Sequence, residues 1–192
     1  VGISKVSVQT GTSHGGVPLA GGGVASVKLD FGTLERLSAV ARSYGLAGAV
    51  QHGASTLPDE LFHQFTRVET AEIHLATGFQ NALYEHGAFP RDLLAEIEAW
   101  CVANCAEERK PGEAEDVFIY KTRKKALGPF KRHLWELPTK EEILADQHKK
   151  LRFLYEQLGV AGSKEMVARY IKPLRNSRPA PAALSAVAEV AR

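Results

Sequence analysis

The sequence predicts an α/β fold: a parallel sheet covered by helices, followed by long helices without strands. Three observations carry this. Short apolar runs at Ile3–Gln9, Leu46–Gln51 and Ala71–Leu75 read as continuous rather than alternating, as buried parallel strands do. Each is followed by a segment of helical periodicity, so the first ninety residues form three successive strand–helix units. Each run also delivers a histidine near its C-terminal end, in TSHGG, QHGAS and EIHLATG, where parallel α/β sheets gather their chemistry. His14, His52 and His74 are therefore the first candidates for function.

The elements follow in order. The Ile3–Gln9 run predicts a short buried strand, and Gly11 through Gly23 a glycine-rich loop. Thr33 is expected to cap a helix whose Leu34, Leu37, Val40 and Ala41 share one face, with Gly45 as its stop. A second buried strand spans Leu46–Gln51, and Thr56-Leu57-Pro58-Asp59 combines a threonine cap with a first-turn proline, the opening of a helix. Ala71–Leu75 is the third strand and Phe79–Tyr84 its helix.

From Phe89 the pattern becomes helical. Residues 90–106 carry Leu93, Leu94, Ile97 and Trp100 at helical spacing, and Thr139-Lys140-Glu141-Glu142 reads as a capping box before Ile143, Leu144, Leu151, Leu154 and Leu158. A proline- and alanine-rich tail follows from Asn176, with a short docking helix expected over 183–191. The expected organisation is 1–88 for the strand–helix units, 89–175 for the helical extension and 176–192 for the tail.

Composition narrows the function classes. The 192 residues are 44% hydrophobic, enough for a real core, and the formal net charge of +2 gives no global field for nucleic acid or membrane. No apolar run approaches the roughly 20 residues that span a bilayer, and no signal-type segment opens the chain, so a cytoplasmic protein is expected. Cys101 and Cys105, four apart on a helical stretch, are expected to pack rather than to pair or bind metal. Val1 is not an initiator and the only methionine is Met166, so a longer gene product is expected, with these residues as its C-terminal portion.

Two imidazoles at neighbouring strand ends, each beside a glycine, suit a zinc site with at least one further ligand. The same pattern also suits hydrogen-bonded histidines in a crowded loop. A loop of small residues leading into a helix, as over His52–Pro58, exposes several N–H donors to one anion. Glu72 lies two residues before His74, on its face of a regular strand, and is expected to orient it.

The order of TSHGG, QHGAS and EIHLATGFQ resembles the last three barrel strands of the class II, metal-dependent fructose-bisphosphate aldolases, over residues 1 to about 90 and more weakly beyond. The resemblance implies the C-terminal part of a (β/α)8 TIM barrel with an appended helical region. It implies zinc on His14 and His52, a substrate phosphate at Gly15, Gly53 and Ser55, and substrate contact by Thr77 on the last strand. The activity it implies is reversible aldol cleavage of fructose 1,6-bisphosphate to dihydroxyacetone phosphate and glyceraldehyde 3-phosphate, with zinc acting on the ketone and stabilising the enediolate. A homodimer or higher homo-oligomer is expected with it.

The sequence departs from the family at four positions. Ala54 and Thr56 stand where glycine is usual, His74 where asparagine is expected and Ala76 where aspartate is expected. The last two, on the strand that meets the substrate, make tagatose bisphosphate or a related ketose phosphate the alternative substrate, with a catalytically silent sugar-phosphate-binding or assembly protein as the rival of another class. His74 is assigned to the substrate side. The family's first zinc-ligand histidine, its catalytic aspartate and a further acid are expected upstream of Val1, so the isolated 192 residues are expected to be inactive.

The basic run 121–133 is expected to form a solvated or subunit-facing helix; in the family a basic residue from this region reaches a substrate phosphate, for which Arg123, Lys124 and Lys125 are the candidates. Arg169, Lys172 and Arg175 read as surface charges, and His63, His86, His133 and His148 as surface or capping residues.

Overall fold

The computed structural model describes residues 2–12, 16–25 and 28–173, with Thr56 described by its backbone alone. Among them the chain runs β1 (Val6–Val8), α1 (Phe31–Ser43), β2 (Ala49–Gln51), α2 (His63–Arg67), β3 (Glu72–Ile73) and α3 (Thr77–Tyr84). It continues through α4 (Arg91–Asn104), α5 (Glu115–Thr122), α6 (Lys131–Trp135), α7 (Lys140–Gln157) and α8 (Lys164–Tyr170). The fold is α/β, with a small three-stranded parallel sheet in the order β1-β2-β3. Each strand is followed by a helix, and strand order follows chain order.

Register separates the two faces of this sheet. Ser7, Val50 and Glu72 are aligned across it, as are Val8, Gln51 and Ile73. Because alternate residues face opposite sides, Val8, Ala49 and Ile73 fall on the face that joins Leu34, Phe62 and Phe65 in a core beneath the helices. The opposite face carries Ser7 and Glu72 around Val50. An ion pair between Lys5 and Glu72 joins the two outer strands across β2 on this polar face.

A second core gathers Tyr84, Phe89, Ile97, Cys101, Phe118 and Ile143 from the helical region. Helix α7 serves both cores, with Ile143 in one and Leu154 in the other. Both lie in one compact unit, Val1–Ala161; the second unit, Gly162–Arg192, contains α8, none of whose residues is buried. The expected tail 176–192, with its docking helix, and Arg175 lie outside the described residues.

Several local expectations are corrected. The first strand is shorter than Ile3–Gln9 and is not buried: Ile3 is 71% and Val6 36% exposed, because β1 pairs on one side alone among the described residues. The other two runs give strands of three and two residues, and β2 alone is buried throughout. Helix α1 begins earlier than Thr33. Asp30 is its cap, its carboxylate accepting the Thr33 N–H at 2.9 Å and the Thr33 hydroxyl at 2.6 Å. Its buried face is Leu34, Ser38 and Ala41, whereas Leu37 and Val40 are exposed. Gly45 follows the helix in the left-handed region at φ 77° and closes it onto Arg42 O at 2.9 Å, as expected.

The segment after β2 does not start a helix at Thr56. Ala54–Thr56 and Asp59–Leu61 each form one 3₁₀ turn before α2, with the extended Pro58 between them. Thr139 does precede α7, but its hydroxyl donates to Ala88 O at 2.7 Å and makes no cap bond, so the capping box does not form. Cys101 and Cys105 are free and buried in the second core, as packing residues.

Candidate functional site

The site is set by how the ends of the strands are tied. Gln51 closes β2 fully buried, and its amide oxygen accepts the Thr10 hydroxyl at 2.5 Å while its NH₂ donates to Thr12 Oγ1 at 2.8 Å and to His52 O. Thr12 in turn donates to His52 O at 2.8 Å. The exits of β1 and β2 are thus locked by one polar network, and a buried amide with its bonds made holds position firmly. On the far side, Ser38 Oγ accepts the Ala49 N–H and donates to Glu69 O, both at 3.0 Å, fixing the entry of β2 against α1.

Beyond Gln51 the chain turns at Gly53, whose φ of 71° is left-handed, into the 3₁₀ turn that carries Ser55. Ser55 Oγ accepts the Ala76 N–H at 3.0 Å, stapling this turn to the residue that precedes α3. A Cβ on Gly78 would meet Ser55 O at 3.0 Å, so glycine permits the close approach. A serine hydroxyl that accepts one N–H keeps its own O–H to donate.

On β3, Glu72 bonds His74 Nε2 and pairs with Lys5, so its carboxylate serves both. The His74 ring lies beside that of His52, centroids 4.1 Å apart and tilted by 43°. These side chains line a cleft of about 530 Å³ at the ends of β2 and β3, with His52, Gly53, Ser55, His74 and Thr77 on its walls. The cleft therefore unites every described residue of the expected site. His14 and Gly15 lie outside the described residues.

Thr77 also lines a second cleft of about 310 Å³, shared with Asn81, Tyr120, Arg123 and Lys124. Here the three basic candidates separate. Arg123 is committed: it donates to Asn81 Oδ1 at 2.7 Å and Glu85 Oε1 at 2.6 Å and lies 5.3 Å and 5.0 Å from the ring centroids of Tyr84 and Tyr120. Burial pushes the Tyr84 phenol up to about 12, keeping it a neutral packing group beside that guanidinium. Lys125 pairs with Glu108, a hydrogen bond that raises its ammonium above the ordinary lysine value. Lys124 lines the cleft.

Two of the remaining histidines make hydrogen bonds to neighbouring residues. His86 accepts the Ala88 N–H on Nδ1 at 3.0 Å and meets Asp146 through Nε2 at 3.2 Å; His63 meets Gln64 at 3.0 Å. His133 and His148 are exposed, as are Arg169 and Lys172.

Sequence reasoning missed Gln51 and Lys5. A glutamine ending an otherwise apolar run, with threonines alternating after the first run, was the available signal for the network. Nothing local marks Lys5, whose partner is 67 residues away.

For zinc, the described donors fit in type: an imidazole at a strand end beside glycine, with a carboxylate-bound histidine as neighbour. No group of three His, Cys, Asp or Glu close enough to enclose a metal occurs among the described residues, and His14, the other expected ligand, lies outside them. No helix among the described residues is long and apolar enough to cross a membrane. No protein-family model matches the chain, and no curated protein matches it.

Proposed function

We propose that the chain is the C-terminal part of a zinc-dependent ketose-bisphosphate aldolase, supplying the last three strand–helix units of a (β/α)8 barrel and a helical extension. The observation that carries the reading is the cleft in which His52, Gly53, Ser55, His74 and Thr77 converge at the ends of two adjacent parallel strands. Parallel strands in chain order, each followed by a helix and sharing an apolar face packed under helices, suit a barrel wall, whose ligands are met beyond the C-terminal strand ends.

In this reading His52 and His14 hold the metal. Bound zinc would supply Lewis-acid polarisation of the substrate carbonyl. The chain's own groups do the rest. Gly53 turns the backbone so that small residues border the anion, and Ser55 donates its free O–H to a phosphate oxygen while its lone pair keeps the Ala76 N–H. The first N–H groups of α3 have no acceptor within the helix and add partial positive charge beside Thr77. The shared wall at Thr77 joins this cleft to the second one, where Lys124 is the basic residue best placed for the other phosphate.

The leading substrate is fructose 1,6-bisphosphate. Tagatose 1,6-bisphosphate is the second reading, favoured by His74 and Ala76 on the strand that meets the sugar hydroxyls. The test is to incubate the full-length protein, loaded with zinc, with each ketose bisphosphate and to follow release of dihydroxyacetone phosphate. The expected result is turnover of one epimer well above the other, abolished by chelation. Binding of both sugars without turnover would replace the aldolase with a sugar-phosphate-binding protein, and neither binding nor turnover would end the proposal.

A further inference from the structure

The polar face of the sheet carries one arrangement that the resemblance does not supply. Glu72 sits on β3 in register with Val50, and its two carboxylate oxygens are divided between Lys5 and His74 Nε2. Lys5 precedes β1, so the carboxylate is anchored from the opposite edge of the sheet. His74 in turn lies against His52 at the strand ends, in the wall of the cleft. A carboxylate accepts and does not donate, so Nε2 is the donor of this bond, and in the neutral ring Nδ1 is then the nitrogen with the lone pair.

We infer that Glu72 is a positioning residue: held by Lys5, it fixes the tautomer and orientation of His74, so that Nδ1 serves as the acceptor for a hydroxyl of a polyhydroxylated ligand in the cleft. The ligand class rests on the proposed function; the positioning does not. Physical reasons favour the assignment over a surface ion pair. Glu72 on β3 and His74 immediately after the strand are two residues apart, a spacing that puts both on one face of extended backbone, so the bond costs little ordering. The His74 side chain keeps 48% of its surface exposed, which leaves room for a ligand. The ring is held on two sides, by the carboxylate and by His52, and a hydrogen-bonding group held in this way loses little freedom when it binds.

A double-mutant cycle in the full-length protein tests this, with Glu72→Ala, Glu72→Gln, His74→Ala and the double variant Glu72→Ala/His74→Ala. Two readouts are taken. The first is the imidazole nitrogen spectrum of the ¹⁵N-labelled protein, which needs no activity. A protonated Nε2 and an unprotonated Nδ1 at His74, with a slowly exchanging Nε2–H that disappears in Glu72→Ala and persists in Glu72→Gln, are expected. The second is kcat/KM for the ketose bisphosphate that the wild type turns over.

Glu72→Ala should lose on the order of 10- to 100-fold, and the double variant should be no worse than His74→Ala. Additive losses, or an Nε2–H unchanged in Glu72→Ala, would overturn the inference, since Glu72 would then act independently of His74. If the wild type turns over no ketose bisphosphate, the proposed function fails, and the spectrum still decides whether Glu72 sets the tautomer.

Discussion

Single residues carry most of the order at the strand ends. Gln51 is the clearest: it is fully buried, and its amide serves Thr10, Thr12 and the His52 carbonyl at once. Gln51→Leu keeps the volume but strands those partners, and should cost on the order of 2 kcal/mol in a chemical-denaturation measurement while loosening the His52 loop. Thr70 is the converse. Its hydroxyl is a buried oxygen without a hydrogen-bond partner among the described residues, so Thr70→Val should raise stability by about 0.5–1 kcal/mol. Ser55 has two tasks, accepting from Ala76 and donating to ligand. Ser55→Ala should reduce kcat/KM by on the order of 10- to 100-fold for a phosphorylated substrate, with zinc retained. An equal loss on a substrate lacking the phosphate would mean that its staple to α3 is the larger task.

At the scale of elements, local signals place the strands and the end of the first helix. The apolar runs contain all three strands found among the described residues, and Gly45 follows α1 as its position required. What the sequence hid was competition between residues of similar chemistry. Asp30, three residues before Thr33, is the better acceptor for the helix start and takes the cap. Thr139 is drawn to a carbonyl 51 residues away, which no local pattern encodes. The Asp30 cap makes a pH-dependent prediction. Its carboxyl is held below the ordinary aspartate value, first by the Thr33 hydroxyl and then by the Thr33 N–H, so its contribution is full above that ordinary value and is lost as pH falls through the lowered one. Thermal unfolding of Asp30→Asn should lack that acid-range component while keeping an acceptor for the Thr33 amide. Gly11 gives a backbone test: its φ is 95°, and a Cβ would fall 2.7 Å from Lys28 O. Gly11→Ala should therefore destabilise by about 1–3 kcal/mol, read as a drop in the denaturation midpoint.

At the scale of the whole molecule, the candidate site was legible because its residues lie in short motifs at strand ends, and parallel strands in chain order bring successive motifs together. His52, Gly53, Ser55, His74 and Thr77 meet for that reason. Contacts that cross the sheet or join distant helices were not legible, since Lys5–Glu72 and Arg123–Glu85 depend on packing that no spacing states. The choice of Lys124 over Arg123 and Lys125 likewise needed the partners of each to be seen. The central claim is a metal-assisted sugar-phosphate site at the ends of these strands. Zinc content together with zinc-edge X-ray absorption on the full-length protein, compared between wild type and His52→Ala, tests it most directly. The account predicts one zinc with imidazole ligands in the wild type, lost or much reduced in His52→Ala; stoichiometric zinc with an unchanged spectrum in His52→Ala would contradict it.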